Sequence, residues 1–226
     1  MQYNRIIQGH FITRPNRFVA HVEVDGQEQI CHVKNTGRCR ELLVPGAVVY
    51  LEESDNLARK TRYDLIAVEK GARLINMDSQ APNKVFDEWA RSGAFRAGLQ
   101  KLQGEKTYGA SRFDFYWETE QAKGFVEVKG VTLEENGVVR FPDAPTQRGV
   151  KHLEELLRAQ AAGYEATVCF VIQMDGVTCF EPNDRTHPAF GAALRRAAEA
   201  GVEILAVDCR VERDRLEIGS RVEVRL

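Results

Sequence analysis

The spacing of apolar and polar residues changes character once along the chain. Up to about residue 80 it repeats a short cycle of strand and turn. Arg17 to Val24 sets Phe18, Ala20, Val22 and Val24 on one face, the period of two that a half-buried strand requires. Asp25-Gly26 predicts a hairpin turn into a second strand, Glu28 to Val33. Leu42 to Val44, Ala47 to Leu51, Tyr63 to Val68 and Arg73 to Asn76 continue the rhythm, with Pro45-Gly46 and Lys70-Gly71 as turns. No helical pattern interrupts it. A small closed barrel of the OB type is the economical architecture, because closure removes exposed strand edges.

Beyond the polar stretch Asp78 to Asn83 the period lengthens, and the expected domains are residues 1–80, an OB-like β-barrel, and 83–226, an α/β domain. Asn83 is the expected N-cap of a helix whose stripe is Phe86, Trp89, Ala90 and Gly93. Three strands are predicted next, Gly104 to Tyr108, Arg112 to Trp117 and Gly124 to Val131. Thr146 to Ala161 reads as a helix and Ala166 to Gln173 as a strand covered on both faces. A second helix runs from Pro188 in its first turn to Gly201 just past its end, and Val202 to Val207 is another buried strand. The fold class is therefore α/β with an all-β subdomain: one mixed central sheet with helices on its faces, preceded by the barrel.

Composition narrows the function. With 31 Lys plus Arg against 33 Asp plus Glu the formal charge is -2, so any nucleic-acid contact must be a local patch. No run approaches the length of a membrane span, and the opening residues lack a secretory pattern, so a cytoplasmic protein is expected. Five widely spaced cysteines form no CxxC pair, so reduced, structural thiols are expected; Cys31, His32 and Cys39 have no fourth partner for zinc.

The informative stretch is Ser111 to Lys129. Strand alternation predicts that Phe113 and Phe115 face one way and Asp114 the other, and likewise separates Val126 and Val128 from Glu127 and Lys129. Asp114 and Glu127 are 13 residues apart across a polar hairpin, so antiparallel pairing brings the two carboxylates side by side. Two such carboxylates can each give an oxygen to Mg²⁺ or Mn²⁺, whose other positions are filled by water and substrate phosphate. The adjacent cation of Lys129 suits an oxyanion developing at phosphorus. As a third acidic ligand Glu105, on a strand bordering the site, is a better candidate than Glu88 on the polar side of a helix. A solvated cross-strand charge cluster is the bland alternative.

Cationic residues suited to phosphate gather in two places. Asp143, Thr146, Gln147, Arg148, Lys151 and His152 crowd the start of a helix, with Arg148, Lys151 and His152 sharing one face. Arg14 and Arg17 mix with Phe11 and Phe18 at the start of the barrel, as single-strand binders mix charge and aromatics. Arg112, two residues before Asp114, completes the candidate DNA-binding set.

The Asp114, Glu127 and Lys129 pattern within its succession of helices and strands resembles the PD-(D/E)xK phosphodiesterase superfamily, although Phe113 stands where its proline would be. The whole chain resembles the sugar fermentation stimulation family, through Asn35 to Gly37, Leu42 to Gly46, Tyr108-Gly109, Ser111 to Phe115, Val126 to Leu133, Phe141 to Leu156 and Val202 to Ala206. The resemblance implies an OB-like barrel followed by a restriction-endonuclease-like domain, DNA binding, and a link to regulation of sugar utilisation; with a net charge of -2, that DNA binding is expected to rest on a few local cations and to have little sequence specificity. Two functions follow as expectations: a Mg²⁺-dependent nuclease, or a non-catalytic DNA-binding regulator that uses the nuclease-like fold as a platform. A hydrolase of small phosphorylated metabolites fits the charge but has no ligand motif behind it.

Overall fold

The computed structural model describes residues 1–35, 37–56 and 58–226; Thr36, in the middle of the Asn35 to Gly37 motif, lies outside them. Strands β1 (Ile6–Asn16), β2 (Val19–Val24), β3 (Gln27–Val33), β4 (Val48–Glu53) and β5 (Tyr63–Lys70) run in the order β3-β2-β1-β4-β5. Parallel pairing of β3 with β5, Cys31 opposite Tyr63 and Val33 opposite Leu65, closes them into an OB-like barrel, and β6 (Arg73–Asn76) extends β5 as a hairpin. Ala20, Val22, Cys31, Val49, Leu51 and Leu65 fill its interior.

Two features of the barrel escape the alternation. In β1, only Gly9 and Phe11 are buried, so its length leaves no apolar stripe. A Cβ on Gly9 would lie 2.6 Å from the Val22 side chain and 2.7 Å from the Glu23 carbonyl oxygen, so only glycine lets β1 and β2 approach. Leu42 to Val44, expected as a strand, instead turns back on itself, with Leu42 and Leu43 amides both donating to the Cys39 carbonyl.

The α/β domain contains α1 (Ala81–Arg91), β7 (Lys101–Tyr108), β8 (Ser111–Glu118), β9 (Lys123–Val131), β10 (Leu133–Glu135), β11 (Val138–Phe141), α2 (Gln147–Ala161), β12 (Glu165–Ile172), β13 (Cys179–Pro182), α3 (Pro188–Glu199), β14 (Glu203–Val211), β15 (Leu216–Arg221) and β16 (Glu223–Val224). Its main sheet has the order β15-β14-β12-β9-β8-β7, parallel across β9, β12 and β14, and a small sheet β10-β11-β13-β16 flanks it. The short strands of the small sheet are too brief to register as a period. On one face α1 packs Val85, Phe86 and Ala90 with Phe115, Trp117, Val126 and Val128. On the other, α2 and α3 pack Leu153, Leu156 and Leu194 with Phe113, Phe125, Val168 and Phe170. All five cysteines are free and buried, and no helix among the described residues is long and apolar enough to cross a membrane.

A buried polar junction fastens barrel to sheet. Gln173, at the end of β12, donates to Asn76 Oδ1 (2.8 Å) and the Asp78 carbonyl (3.0 Å), while Asn76 donates to the Tyr3 hydroxyl (2.9 Å). The amino-terminal residues also cross over: the Tyr3 amide donates to the Asp214 carbonyl, the Leu216 amide donates to the Met1 carbonyl, and Gln2 bridges Arg215.

Inside the barrel wall Asp64, 4 % exposed, accepts from Arg59 at both oxygens and lies 3.0 Å from His32 Nδ1 and 3.2 Å from Lys34 Nζ. Burial alone would raise its carboxyl, but Arg59, Lys34 and His32 together bring it down to about 2. A lowered carboxyl stabilises the fold above its unfolded value near 4 and loses that contribution as pH falls through about 2, an effect of about 2 kcal/mol. Urea midpoints measured from pH 7 to pH 2 should fall most steeply between pH 4 and 2. In Asp64→Asn that segment of the profile should flatten; an unchanged steep segment would locate the acid sensitivity elsewhere.

Candidate active site

Strands β8 and β9 pair from Glu118 opposite Lys123 as far as Phe115 opposite Val126. One step further Asp114 and Glu127 would face each other, and there the ladder stops. Asp114 turns its own carboxylate onto the free backbone: Oδ2 accepts from the Val128 amide at 2.8 Å. Oδ1 accepts from Asn83 Nδ2, on α1, at 2.9 Å. The spacing of 13 predicts that pairing carries the two carboxylates side by side; the ladder instead ends one step short of them, at Phe115 opposite Val126.

The alternation fails locally, however. Phe113 packs on the α2 side of the sheet and Phe115 on the α1 side, so they do not share a face as expected. On β7 the ladder also skips one position between Gly104 opposite Phe115 and Lys106 opposite Phe113. The skipped residue is Glu105, whose backbone has the left-handed φ of 55°. That irregularity corrects the placing of Glu105 as a third metal ligand. Its side chain is 71 % exposed and pairs with Arg112 Nη2 at 3.3 Å. Arg112 is in turn partnered by Glu105 rather than presented alone.

Glu127 is 3 % exposed. Its Oε1 takes the Lys129 ammonium and the Nδ1 of His152, both in very short contacts, while Oε2 is buried with no hydrogen-bond partner. Burial would raise the Glu127 carboxyl, but His152 and Lys129 outweigh it and hold the group below the usual carboxylate range. The Asp114 carboxyl moves the opposite way. Burial and the neighbouring Glu127 charge push it up, against Lys129, the Val128 amide and Asn83. Two adjacent carboxylates with displaced affinities for protons suit joint capture of a cation. Among the described residues no three His, Cys, Asp or Glu side chains gather into a complete cage. A cation here would take Asp114 and Glu127 Oε2 and complete its shell with water and substrate oxygens, the habit of Mg²⁺.

Helix α2 delivers His152. Thr146 is its N-cap, accepting from the Gly149 amide at 3.0 Å. Helix α1, by contrast, begins at Ala81 with Gln80 as N-cap and Pro82 in its first turn, so Asn83 is not the cap but the partner of Asp114. On α2, Arg148 Nε donates to His152 Nε2 at 3.2 Å, and Lys151 Nζ donates to the Ala110 carbonyl at 3.0 Å, so Lys151 spans to the β7–β8 turn. The involvement of Asn83 has no sequence signal; that of His152 is signalled by its position four residues after Arg148 on the crowded helix start.

The barrel's arginines divide. Arg14 donates to the carbonyls of Gly37, Arg38, Arg17 and Asn35, at 2.6 to 2.9 Å, so its guanidinium is a loop clamp and corrects its reading as a free phosphate contact. Arg17 is exposed, and with Arg38 and Arg40 it lines a hollow of about 600 Å³ that also includes Phe11 and Ile12. Gly37 lines both this hollow and a cleft of about 170 Å³ that reaches Gly130, next to Lys129. The carboxylates line neither.

Residues 12–77 match the family profile described as the SfsA N-terminal OB domain, and residues 80–215 match that of the sugar fermentation stimulation protein RE domain. The chain belongs to the sugar fermentation stimulation (SfsA) family. A sugar fermentation stimulation protein homolog of Desulfitobacterium hafniense strain Y51 is 62 % identical over 226 residues, covering 100 % of this chain and 99 % of the relative. A homolog from Ruminiclostridium cellulolyticum is 57 % identical, covering 100 % of both. Among solved structures, Pyrococcus furiosus SfsA in complex with Ca²⁺ superposes with a TM-score of 0.90 at 28 % identity, covering 100 % of this chain and 98 % of that one. The barrel and mixed sheet described above are thus the architecture of an SfsA protein.

The raised Asp114 carboxyl has a thermodynamic consequence in this SfsA chain. A carboxylate whose folded affinity for protons exceeds its unfolded one destabilises the native state at neutral pH. Asp114→Asn, which keeps an acceptor for the Val128 amide, should stabilise the metal-free protein at pH 7, read as a rise in Tm. The difference from wild type should shrink as pH falls and Asp114 protonates. Calorimetric scans at pH 7 and pH 4 in the presence of a chelator check both the sign and the convergence.

Proposed function

We propose that the protein binds DNA with little sequence specificity and carries a Mg²⁺- or Mn²⁺-dependent phosphodiesterase site at Asp114, Glu127 and Lys129, in a role linked to regulation of sugar utilisation. The observation that carries the reading is Glu127 Oε2, a buried carboxylate oxygen without a partner beside a second carboxylate. A buried carboxylate oxygen left without a hydrogen-bond partner is costly unless something else meets it. The Ca²⁺ complex of the P. furiosus relative supports cation binding by this fold. A divalent cation, when bound, supplies Lewis-acid polarisation of a phosphoryl oxygen.

The chain's own residues divide the remaining work. Asn83 and the Val128 amide fix both oxygens of Asp114, so that carboxylate is preorganised. Lys129, on the same face of β9 as Glu127, brings a positive charge to the opening between β8 and β9. Arg148, exposed at the start of α2, and Lys151 lie where phosphate is favoured by the helix terminus. Arg17, Arg38 and Arg40 form the second cationic surface, whose hollow shares Gly37 with the cleft that Gly130 lines. The names of the relatives support the link to sugar utilisation. The presence of only two acidic ligands, with Glu105 turned away, favours the platform reading as the alternative.

Single-turnover cleavage of labelled single- and double-stranded oligonucleotides with Mn²⁺ separates the two. Lys129→Ala should retain DNA binding and lose cleavage on the order of a hundredfold, the size of one preorganised transition-state interaction. If wild type cleaves no better than Lys129→Ala, the enzyme reading falls and the binding platform stands. DNA affinity as a function of salt tests the surface: replacing Arg17, Arg38 and Arg40 with alanine should weaken binding to all sequences alike and flatten the salt slope by roughly one unit for each phosphate that no longer meets a cation. An unchanged slope would remove the barrel hollow from the interface.

A further inference from the structure

We infer that Arg148 and His152 form a relay that holds Glu127 by one oxygen and reserves the other for the cation; this rests on the metal-site reading above. A guanidinium has donors only. Arg148 Nε donates to His152 Nε2 at 3.2 Å, so Nε2 carries the lone pair and the ring proton resides on Nδ1. Nδ1 faces Glu127 Oε1 and donates to it. Lys129 Nζ, 3.4 Å from Nδ1, is directed to that same oxygen. All the cover on Glu127 therefore falls on Oε1, and Oε2 is left buried and bare.

The relay is built on rigid elements. Arg148 and His152 are four residues apart on α2, so one helix turn aligns them. His152 is 6 % exposed, and α2 packs on β9, which carries Glu127. Gly149 lets α2 pack closely against α3, since a Cβ there would lie 2.8 Å from Thr146 and 3.2 Å from Phe190 of α3. His152 is thus a positioning residue. It acts through Glu127, fixing the rotation of that carboxylate and so which oxygen a cation meets, as outer partners of metal ligands do.

The proton location is measurable without any metal. In the metal-free protein at pH 8, a long-range ¹H–¹⁵N correlation spectrum should show His152 protonated on Nδ1; protonation on Nε2 would overturn the relay. The consequence is read by calorimetric titration with Mn²⁺ alone, each variant first checked for its thermal unfolding. His152→Ala should weaken Mn²⁺ binding tenfold or more, the loss typical for an outer partner of a ligand. His152→Asn places an amide N–H where Nδ1 stands and should restore affinity to within a few-fold of wild type. His152→Gln, whose amide N–H falls at the Nε2 position, should not. A His152→Ala protein that binds Mn²⁺ as tightly as wild type, or an asparagine variant no better than alanine, overturns the inference alone. A wild type that takes up no Mn²⁺ overturns the metal-site reading and this inference with it.

Discussion

Glu127 sits at 3 % exposure in a sheet whose neighbouring positions, Val126, Val128 and Val168, are apolar and buried. An ionised carboxylate in such a place costs several kcal/mol unless its oxygens are met. Its compensation comes from two elements, Lys129 on β9 and His152 on α2, while Asp114 on β8 works against it. Much of the local architecture answers that demand. Helix α2 must lie close enough for His152 to reach the sheet, and β8 must leave β9 at the point where a second carboxylate would otherwise be forced into the ladder. Stability and the site therefore draw on the same contacts.

What is readable in the sequence follows from how far each signal reaches. Glu127 and Lys129 obey the period of two on an unbroken strand, so their common face is legible from two letters. Thr146 lies three residues before Gly149, a local cap, and is equally legible. Asp114 is legible as a neighbour of Glu127 but not in its orientation, because the ladders on both sides of it are interrupted, opposite Glu105 on β7 and opposite Glu127 on β9. Glu105 is not glycine, and nothing in its surroundings in sequence marks a positive φ. At the same level Phe113 and Phe115 pack on opposite faces, and Glu105 lies exposed against Arg112.

Charge is the least local signal of all. Arg14 and Arg17 look equivalent in sequence, yet one spends its donors on four carbonyls and the other stands in solvent. Asn83 looks like a cap and instead fixes Asp114, because Pro82 lets the helix begin earlier. The junction of Gln173, Asn76, Asp78 and Tyr3 is invisible in the same way: its members are scattered over the chain and acquire meaning only when barrel and sheet meet. Once formed, it sets the arginine hollow at a fixed bearing to the opening between β8 and β9.

The crossing of the first three residues onto Asp214 to Leu216 bears on how the molecule is made. During synthesis the barrel strands leave the ribosome long before the residues that receive Tyr3 and Met1 exist. Contacts of such sequence separation close the largest loop in the chain and carry the greatest closure entropy. The Tyr3 amide and the Met1 carbonyl must wait for their partners until Asp214 and Leu216 arrive. Completion of one domain is thereby postponed to the end of the other, and a chain released early would carry an unfinished seam.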